Sequence, residues 1–231
     1  MLSLHRIDSY YGRSHTLHGV SLAVERGGFL AVLGRNSVGK TTLLKSIMGL
    51  TDRVTGSIRM DGAEIVSFET HRRARAGIGY VPQGREIIPD FTVRENIIMG
   101  GFAGAAPGNR PPPLVSELFP YIVENLDRKG VFLSGGQQQQ LAISRALAAN
   151  PRLLLLDEPT EGIQPNIVEQ IENAIITLNR KFGITTVLVD QNIQFARRAA
   201  RTFAILEKGQ VVAQGPIHQL TDELVHRHMA I

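Results

Sequence analysis

The stretch GRNSVGKTT, Gly34 to Thr42, sets Gly34, Gly39, Lys40 and Thr41 at the spacing G-x-x-x-x-G-K-[ST]. The glycines let the backbone curl until consecutive N–H groups, those of Arg35, Asn36, Ser37, Val38 and Gly39 through Thr42, converge on a β-phosphate. Lys40 can then reach β and γ oxygens, and the Thr41 hydroxyl can ligate Mg²⁺. Context supports this chemistry, because FLAVL before the loop reads as a strand and KTTLLKSIMG after it as a helix ending at Gly49. The stretch predicts a nucleoside triphosphate site.

A second element supplies the acids such a site needs. RLLLLDEPT puts four leucines in a buried strand and then Asp157 and Glu158 at its carboxyl end, where α/β sheets bind ligands. Asp157 suits the Mg²⁺ partner, and Glu158 suits a general base for the attacking water. Together they predict hydrolysis rather than nucleotide storage.

The third element is LSGGQQQQLAISRAL, Leu133 to Leu147. Ser134 and Gln137 stand at capping-box spacing, and Gly135 and Gly136 remove side chains that would block close approach. A bare, positive helix end suits an anion. The phosphate loop already cradles this chain's own nucleotide, so the helix end points to a second subunit's γ-phosphate.

These groups need a frame. HGVSLAV, GGFLAVLG and GSIRMDG read as β runs, and a helix opens near Thr92. AGAAPGNRPPP, Ala103 to Pro113, reads as a loop, followed by one helix near LVSELFPYIVENL. After Asn150-Pro151 the pattern alternates strand and helix, and FAILEKGQVVAQG reads as a hairpin turning at Lys208-Gly209. In the long helix opened by Pro165, Ile167, Ile171, Ile175 and Leu178 share one face, and Gly183 closes it. The expectation is α/β: a P-loop core with a mostly parallel sheet flanked by helices, an antiparallel β subdomain and an inserted α-helical subdomain.

With 231 residues, 43% of them hydrophobic, the chain can bury a sizeable core, and the absence of cysteine leaves no disulfide framework. The start, MLSLHRIDSYYG, lacks the pattern of a secretory leader, and no apolar run reaches membrane-span length. Net charge is +4, with basic stretches at HRRARAG and FARRAARTF. Both are short and lack interleaved aromatics, so solvated helix faces are expected and nucleic acid is not. His226 and His228 read as part of a surface terminus. Tyr11 is a candidate to stack on the nucleotide base, with packing at a β edge as the alternative.

GRNSVGKTT, YVPQG, LSGGQ and LLLLDEPT, in this order, resemble the ATP-binding subunits of ABC transporters along essentially the whole chain. The resemblance implies one ABC-type ATPase domain over residues 1–231. Residues 1–91 and 151–231 would form the β subdomain and core, and about 92–150 the helical subdomain with loop 103–113. It implies ATP and Mg²⁺ as cofactors, with Thr41, Gln83 and Asp157 at the metal and Tyr11 on adenine. It also implies a head-to-tail partner ATPase, identical or a sister chain, capped through Ser134, Gly135, Gly136 and Gln137. Transmembrane permease subunits would dock on the helical arm, and an external solute-binding protein would act indirectly. The chain would then lie at the cytoplasmic face of a bacterial inner membrane. YVPQGREI, LSGGQQQQLA and DEPTEGIQP resemble the branched-chain amino acid importer branch, and within it the urea or short-chain amide importers. Branched-chain amino acid import and a soluble ABC ATPase are the alternatives.

Three positions depart from the broad family pattern. Ser37 replaces a usual glycine, and a positive φ there would cost on the order of 1 kcal/mol. Gln191 stands where most of the family has a γ-phosphate-contacting histidine; its amide can still donate but cannot become cationic. Gln164 replaces the aspartate that usually signals across the dimer. Hydrolysis with modest turnover is the expectation.

Overall fold

The computed structural model describes residues 1–104 and 110–229, so the central part of the loop expected at Ala103–Pro113 lies outside the described residues. Two sheets organise the chain. Strands β1 (Leu2–Tyr11), β2 (Ser14–Val24), β4 (Arg53–Met60) and β5 (Ala63–Glu64) form an antiparallel sheet in the order β2-β1-β4-β5. The second contains β3 (Phe29–Leu33), β6 (Ile78–Val81), β7 (Leu153–Asp157), β8 (Thr185–Asp190), β9 (Thr202–Glu207) and β10 (Gln210–Pro216). Its order is β10-β9-β3-β8-β7-β6, parallel throughout except for the β9–β10 hairpin.

Every residue of β3, β7 and β8 is buried, which is why these strands read as unbroken apolar runs rather than alternating ones. On one face, Leu30 and Val32 pack with Leu43, Leu44 and Ile47 of α1 (Lys40–Met48) and with Leu4, Ile7 and Leu22 of the antiparallel sheet. On the other, Phe29, Ala31 and Leu33 meet α6 (Gly135–Leu147), α7 (Pro165–Arg180) and α8 (Ile193–Ala199). The hairpin turns at Lys208 and Gly209, both at positive φ (46° and 76°), the primed turn that matches strand twist.

The middle of the chain is helical. α3 (Val93–Gly101) starts at Thr92, whose side chain accepts from the Glu95 N–H while Glu95 reaches back to the Thr92 N–H. The single helix expected near LVSELFPYIVENL is two, α4 (Pro113–Leu118) and α5 (Pro120–Glu124). Pro120 causes the break: it disfavours helical backbone at Phe119, which sits at φ −134°, ψ 64°. The long helix α7 closes at Gly183 as expected: this residue, at φ 70°, donates its N–H to Asn179 O beyond the last helical residue, Arg180.

The arginine-rich stretch His71–Gly77 is not simply a solvated face. In α2 (Thr70–Arg75), Arg73 is buried, and its guanidinium donates to Ser46 O, Ile47 O, Val66 O and Phe68 O. It thereby caps the carbonyl end of α1, the helix that carries Lys40. In FARRAARTF, Arg197 pairs with Asp222 at the start of α9 (Asp222–Met229), and Arg198 pairs with Glu172 on α7. Fixed forks thus tie helices together where sequence alone suggested solvation.

Removing Arg73 strands several buried carbonyls at once, so Arg73→Ala should lower unfolding free energy by about 2–4 kcal/mol in urea titrations. Arg73→Lys should recover less than half of that, because one ammonium cannot span the four diverging acceptors.

Candidate functional site

Parallel register assembles the site. Leu33, the last residue of β3, pairs with Asp190 at the end of β8, and Val189 beside it pairs with Asp157 at the end of β7. Val81, closing β6, pairs with Leu156 and delivers Gln83 two residues later. The phosphate loop, three acids and an amide therefore emerge at one carboxyl edge, although they come from four separate parts of the chain.

Between β3 and α1 the loop is tightly constrained. Gly39 sits at φ 107°, and a Cβ there would lie 2.9 Å from Leu17. Ser37 occupies left-handed backbone at φ 63°, so the non-glycine residue does sit where glycine is easier, at a cost of about 1 kcal/mol. Lys40 is almost fully buried; its ammonium donates to Gly34 O at 2.8 Å and Arg35 O at 2.9 Å, and pairs with Glu158 Oε1 at 2.9 Å. Glu158 itself leaves the strand with φ 43°, while its N–H donates to Val189 O.

The Thr41 hydroxyl donates to Asp157 Oδ1 at 3.1 Å, and the Tyr80 hydroxyl donates to Oδ2 at 3.3 Å. Burial pushes the Asp157 carboxyl up to about 6, against the pull of those two hydrogen bonds, and the neighbouring Glu158 charge adds to the rise. A cavity of about 320 Å³ opens over this cluster, lined by Thr16, Asn36, Ser37, Gly39, Lys40, Thr41, Thr42, Gln83 and Glu158. Backbone amides, one ammonium, and hydroxyl, amide and carboxylate oxygens suit a polyphosphate with a small hard cation, so the residues present fit ATP and Mg²⁺.

Other expected residues stand apart. Tyr11 is exposed at the end of β1 and does not line the cavity. Gln191 and Arg35 line an adjacent groove with Ile193, Asp222, Val225, His226 and Met229. His226 and His228, read as surface terminus, belong to α9, and His228 lies 3.1 Å from Glu207.

Ser134 caps α6 through the capping box with Gln137, and this helix end does not line the cavity of its own chain. The reason for its second glycine differs from expectation. A Cβ on Gly136 would come within 2.4 Å of Ile167 on α7, so packing inside the chain requires that glycine, and one on Gly135 would come within 3.2 Å of the Arg85 guanidinium.

Sequence reasoning missed Thr16, Tyr80, Asp190 and Glu161. Asp190 had a signal, being an acid ending the buried run TTVLVD as Asp157 ends LLLLD. Its Oδ1 accepts from the Gln191 and Asn192 N–H groups, and burial holds its carboxyl above the usual carboxylate range. Glu161 accepts from the Gln83 amide at 2.7 Å.

Residues 17–161 match the family model described as ABC transporter. The chain is 40% identical over 213 residues to the high-affinity branched-chain amino acid transport ATP-binding protein BraG of Pseudomonas aeruginosa, across 92% of this chain and 91% of that one. It is 32% identical over 223 residues to LivF of Archaeoglobus fulgidus, named for branched-chain amino acid transport, across 96% and 94%. Among solved structures, a dimeric ATP-binding cassette in a post-hydrolysis state with ADP and Pi aligns with TM-score 0.82 and 28% identity, across 94% of this chain and 99% of that one.

The raised Asp157 pKa has a definite sign. Between the ordinary 3.8 and about 6 the folded state holds a proton that the unfolded state releases, so this carboxyl's contribution to stability falls as pH rises through that window. In metal- and nucleotide-free buffer, Asp157→Asn should therefore be more stable than the native chain at pH 7.5, by about 1–3 kcal/mol. That gain should shrink as thermal unfolding is followed down to pH 5.

Proposed function

We propose a specific task for this chain, which belongs to the ABC transporter family: it is the ATP-hydrolysing subunit of an importer for branched-chain amino acids. The urea or short-chain amide reading of DEPTEGIQP and its companions gives way here. The similar proteins BraG and LivF carry branched-chain amino acid names, and they resemble this chain over more than nine-tenths of its length.

What carries the catalytic part is that Lys40, Thr41 and Glu158 line one cavity, with Asp157 behind Thr41 as the acceptor of its hydroxyl. In the proposed cycle the loop amides and Lys40 bind the β and γ phosphates of ATP, which requires Lys40 to exchange its present carbonyl and Glu158 partners for phosphate oxygens. Glu158, freed of that pair, accepts a proton from the water that attacks the γ-phosphorus, and the bond to the β-phosphate oxygen breaks to leave ADP and Pi. Thr41, Asp157 and Gln83 would hold Mg²⁺, which would supply positive charge against the charge that builds on the phosphates.

The N-terminus of α6 would close over the nucleotide of a second ATPase subunit, since it stays away from its own chain's cavity. Gln191 is proposed to meet the γ-phosphate, and Tyr11 the adenine, once that closed arrangement forms. The residues about 92–150 are proposed as the helical subdomain against which the permease docks. An apolar groove of about 390 Å³ lies where these residues meet the rest of the chain, lined by Met99, Gly100, Ala103 and Ala149 on one side and Leu50 and Ile78 on the other. Among the described residues no helix is long and apolar enough to cross a membrane, so attachment through permease subunits is part of the proposal. The cytoplasmic face of the inner membrane and an external solute-binding protein complete it.

Two measurements test this reading. Glu158→Gln should cut ATP turnover at least about 100-fold while retaining ATP binding, and light scattering with Mg-ATP should show a dimer, either of this chain or with a sister ATPase. In proteoliposomes containing the cognate permease and solute-binding protein, leucine, isoleucine or valine should stimulate ATP hydrolysis and enter the lumen. Stimulation by urea or acetamide with none by these amino acids would overturn the substrate assignment. Gln191→Ala with unchanged turnover would remove that residue from the γ-phosphate.

A further inference from the structure

The loop after β6, which carries Gln83, is tied to α6. Arg85 and Glu86 both adopt left-handed conformations, at φ 72° and 45°. The Arg145 guanidinium on α6 donates to both of their carbonyls, to Glu86 O at 2.6 Å and Arg85 O at 3.1 Å. Such anchoring restrains the backbone just beyond Gln83. It does not decide which end of the side-chain amide faces the cavity, and for a cation site that choice matters, because only the carbonyl oxygen can ligate.

The remaining contact decides it. The Gln83 side-chain Nε2 donates to Glu161 Oε2 at 2.7 Å. An ionised carboxylate only accepts, so the amide must turn its NH₂ to Glu161 and its Oε1 the other way. Gln83 lines the phosphate cavity while Glu161 does not. Glu161 is itself fixed to the base-bearing turn, its N–H donating to Glu158 O. The chain thus places an acceptor behind the amide from the same loop that carries Asp157 and Glu158.

We propose that Glu161 is a positioning residue: by accepting from the Gln83 NH₂, it presents the Gln83 carbonyl oxygen to the divalent cation beside Thr41 and Asp157. This deepens the reading of those three residues as the cation site and rests on it. Outer-shell partners of this kind order a ligand before the metal arrives and remove the wrong orientation from the free state. The logic also gives Glu161 a reason to be an acid rather than an amide, since a glutamine could donate as well as accept and would leave the orientation of Gln83 open.

Binding of Mn²⁺ to the full chain loaded with the non-hydrolysable analogue adenylyl imidodiphosphate, followed by the EPR signal of free Mn²⁺, tests this without relying on turnover. Glu161→Ala should weaken Mn²⁺ binding about tenfold, the lower end of what loss of an outer-shell partner does. Affinity for the analogue in EDTA should stay within about twofold of native. In a Gln83→Ala background the same Glu161→Ala change should have no further effect, because its influence passes through the amide. An equal loss in both backgrounds would show the Glu161 charge acting directly on the cation, and no loss in either would reduce the pair to a solvated surface bond. Each of these overturns the proposal. Gln83→Ala binding Mn²⁺ as tightly as native would instead overturn the assignment of Gln83 to the cation site, and the positioning role with it.

Discussion

A lysine ammonium that is almost fully removed from water has to be neutralised where it stands, and much of this structure follows from that requirement. Desolvating an unpaired charge is prohibitive, so Lys40 needs acceptors on every side. Two come from the carbonyls of its own loop and one from Glu158, more than a hundred residues away. Bringing that carboxylate within 2.9 Å demands that β7 lie one strand from β3, with β8 between them in fixed parallel register. The sheet order and the ion pair are therefore one constraint seen at two scales. A polyphosphate satisfies the same ammonium with more oxygens, so the geometry that stabilises the chain also prepares it for ligand exchange.

The carboxyl edge concentrates negative charge more than any single motif suggests. Asp157, Glu158 and Asp190 all end or follow buried parallel strands, and each of the two aspartates is pushed upward both by burial and by the Glu158 charge. Hydroxyls and backbone amides stabilise the aspartates: Thr41 and Tyr80 at Asp157, the Gln191 and Asn192 N–H groups at Asp190. Such crowding is unfavourable for an isolated fold and favourable for a site that admits cations. The left-handed backbone at Ser37 and Glu158 belongs to the same pattern, with strain placed where ligand contact is to be made.

Motif spacing made the centre of the site readable, because the phosphate loop and Asp157-Glu158 depend on local turns and on a strand end that hydrophobic runs reveal. The parallel core was equally legible, since doubly buried strands cannot alternate. What stayed hidden depends on contacts between distant segments. The first strand, Leu2–Tyr11, pairs with β2 and β4 through several register shifts that blur any period of two. Arg73 looked like one more surface arginine because nothing local reveals that α1 ends beside it. Gly136 looked like a gap for a ligand, while Ile167, thirty-one residues on, fills that space. Glu161 lay next to a recognised motif, yet its partner is 78 positions upstream.

One mechanical consequence links the two ends of the proposed cycle. Arg145 lies on α6, the helix whose N-terminus would meet a neighbouring subunit's phosphate, and its fork holds the two strained residues that follow Gln83. Burial lowers the Arg145 guanidinium from its ordinary pKa, so releasing those carbonyls would leave a partly buried cation without its acceptors. Arg85 adds a second tie, its guanidinium lying against Gly135 and its Nη1 donating to Gln138 Oε1 at 3.3 Å. The start of α6 and the Gln83 loop are therefore tied together: displacement of the helical arm must carry the loop with it or break these three guanidinium hydrogen bonds. The arm also borders the apolar groove at Leu50 and Met99, so in the proposed cycle a load applied there would reach the Gln83 amide through packed side chains and these guanidinium ties.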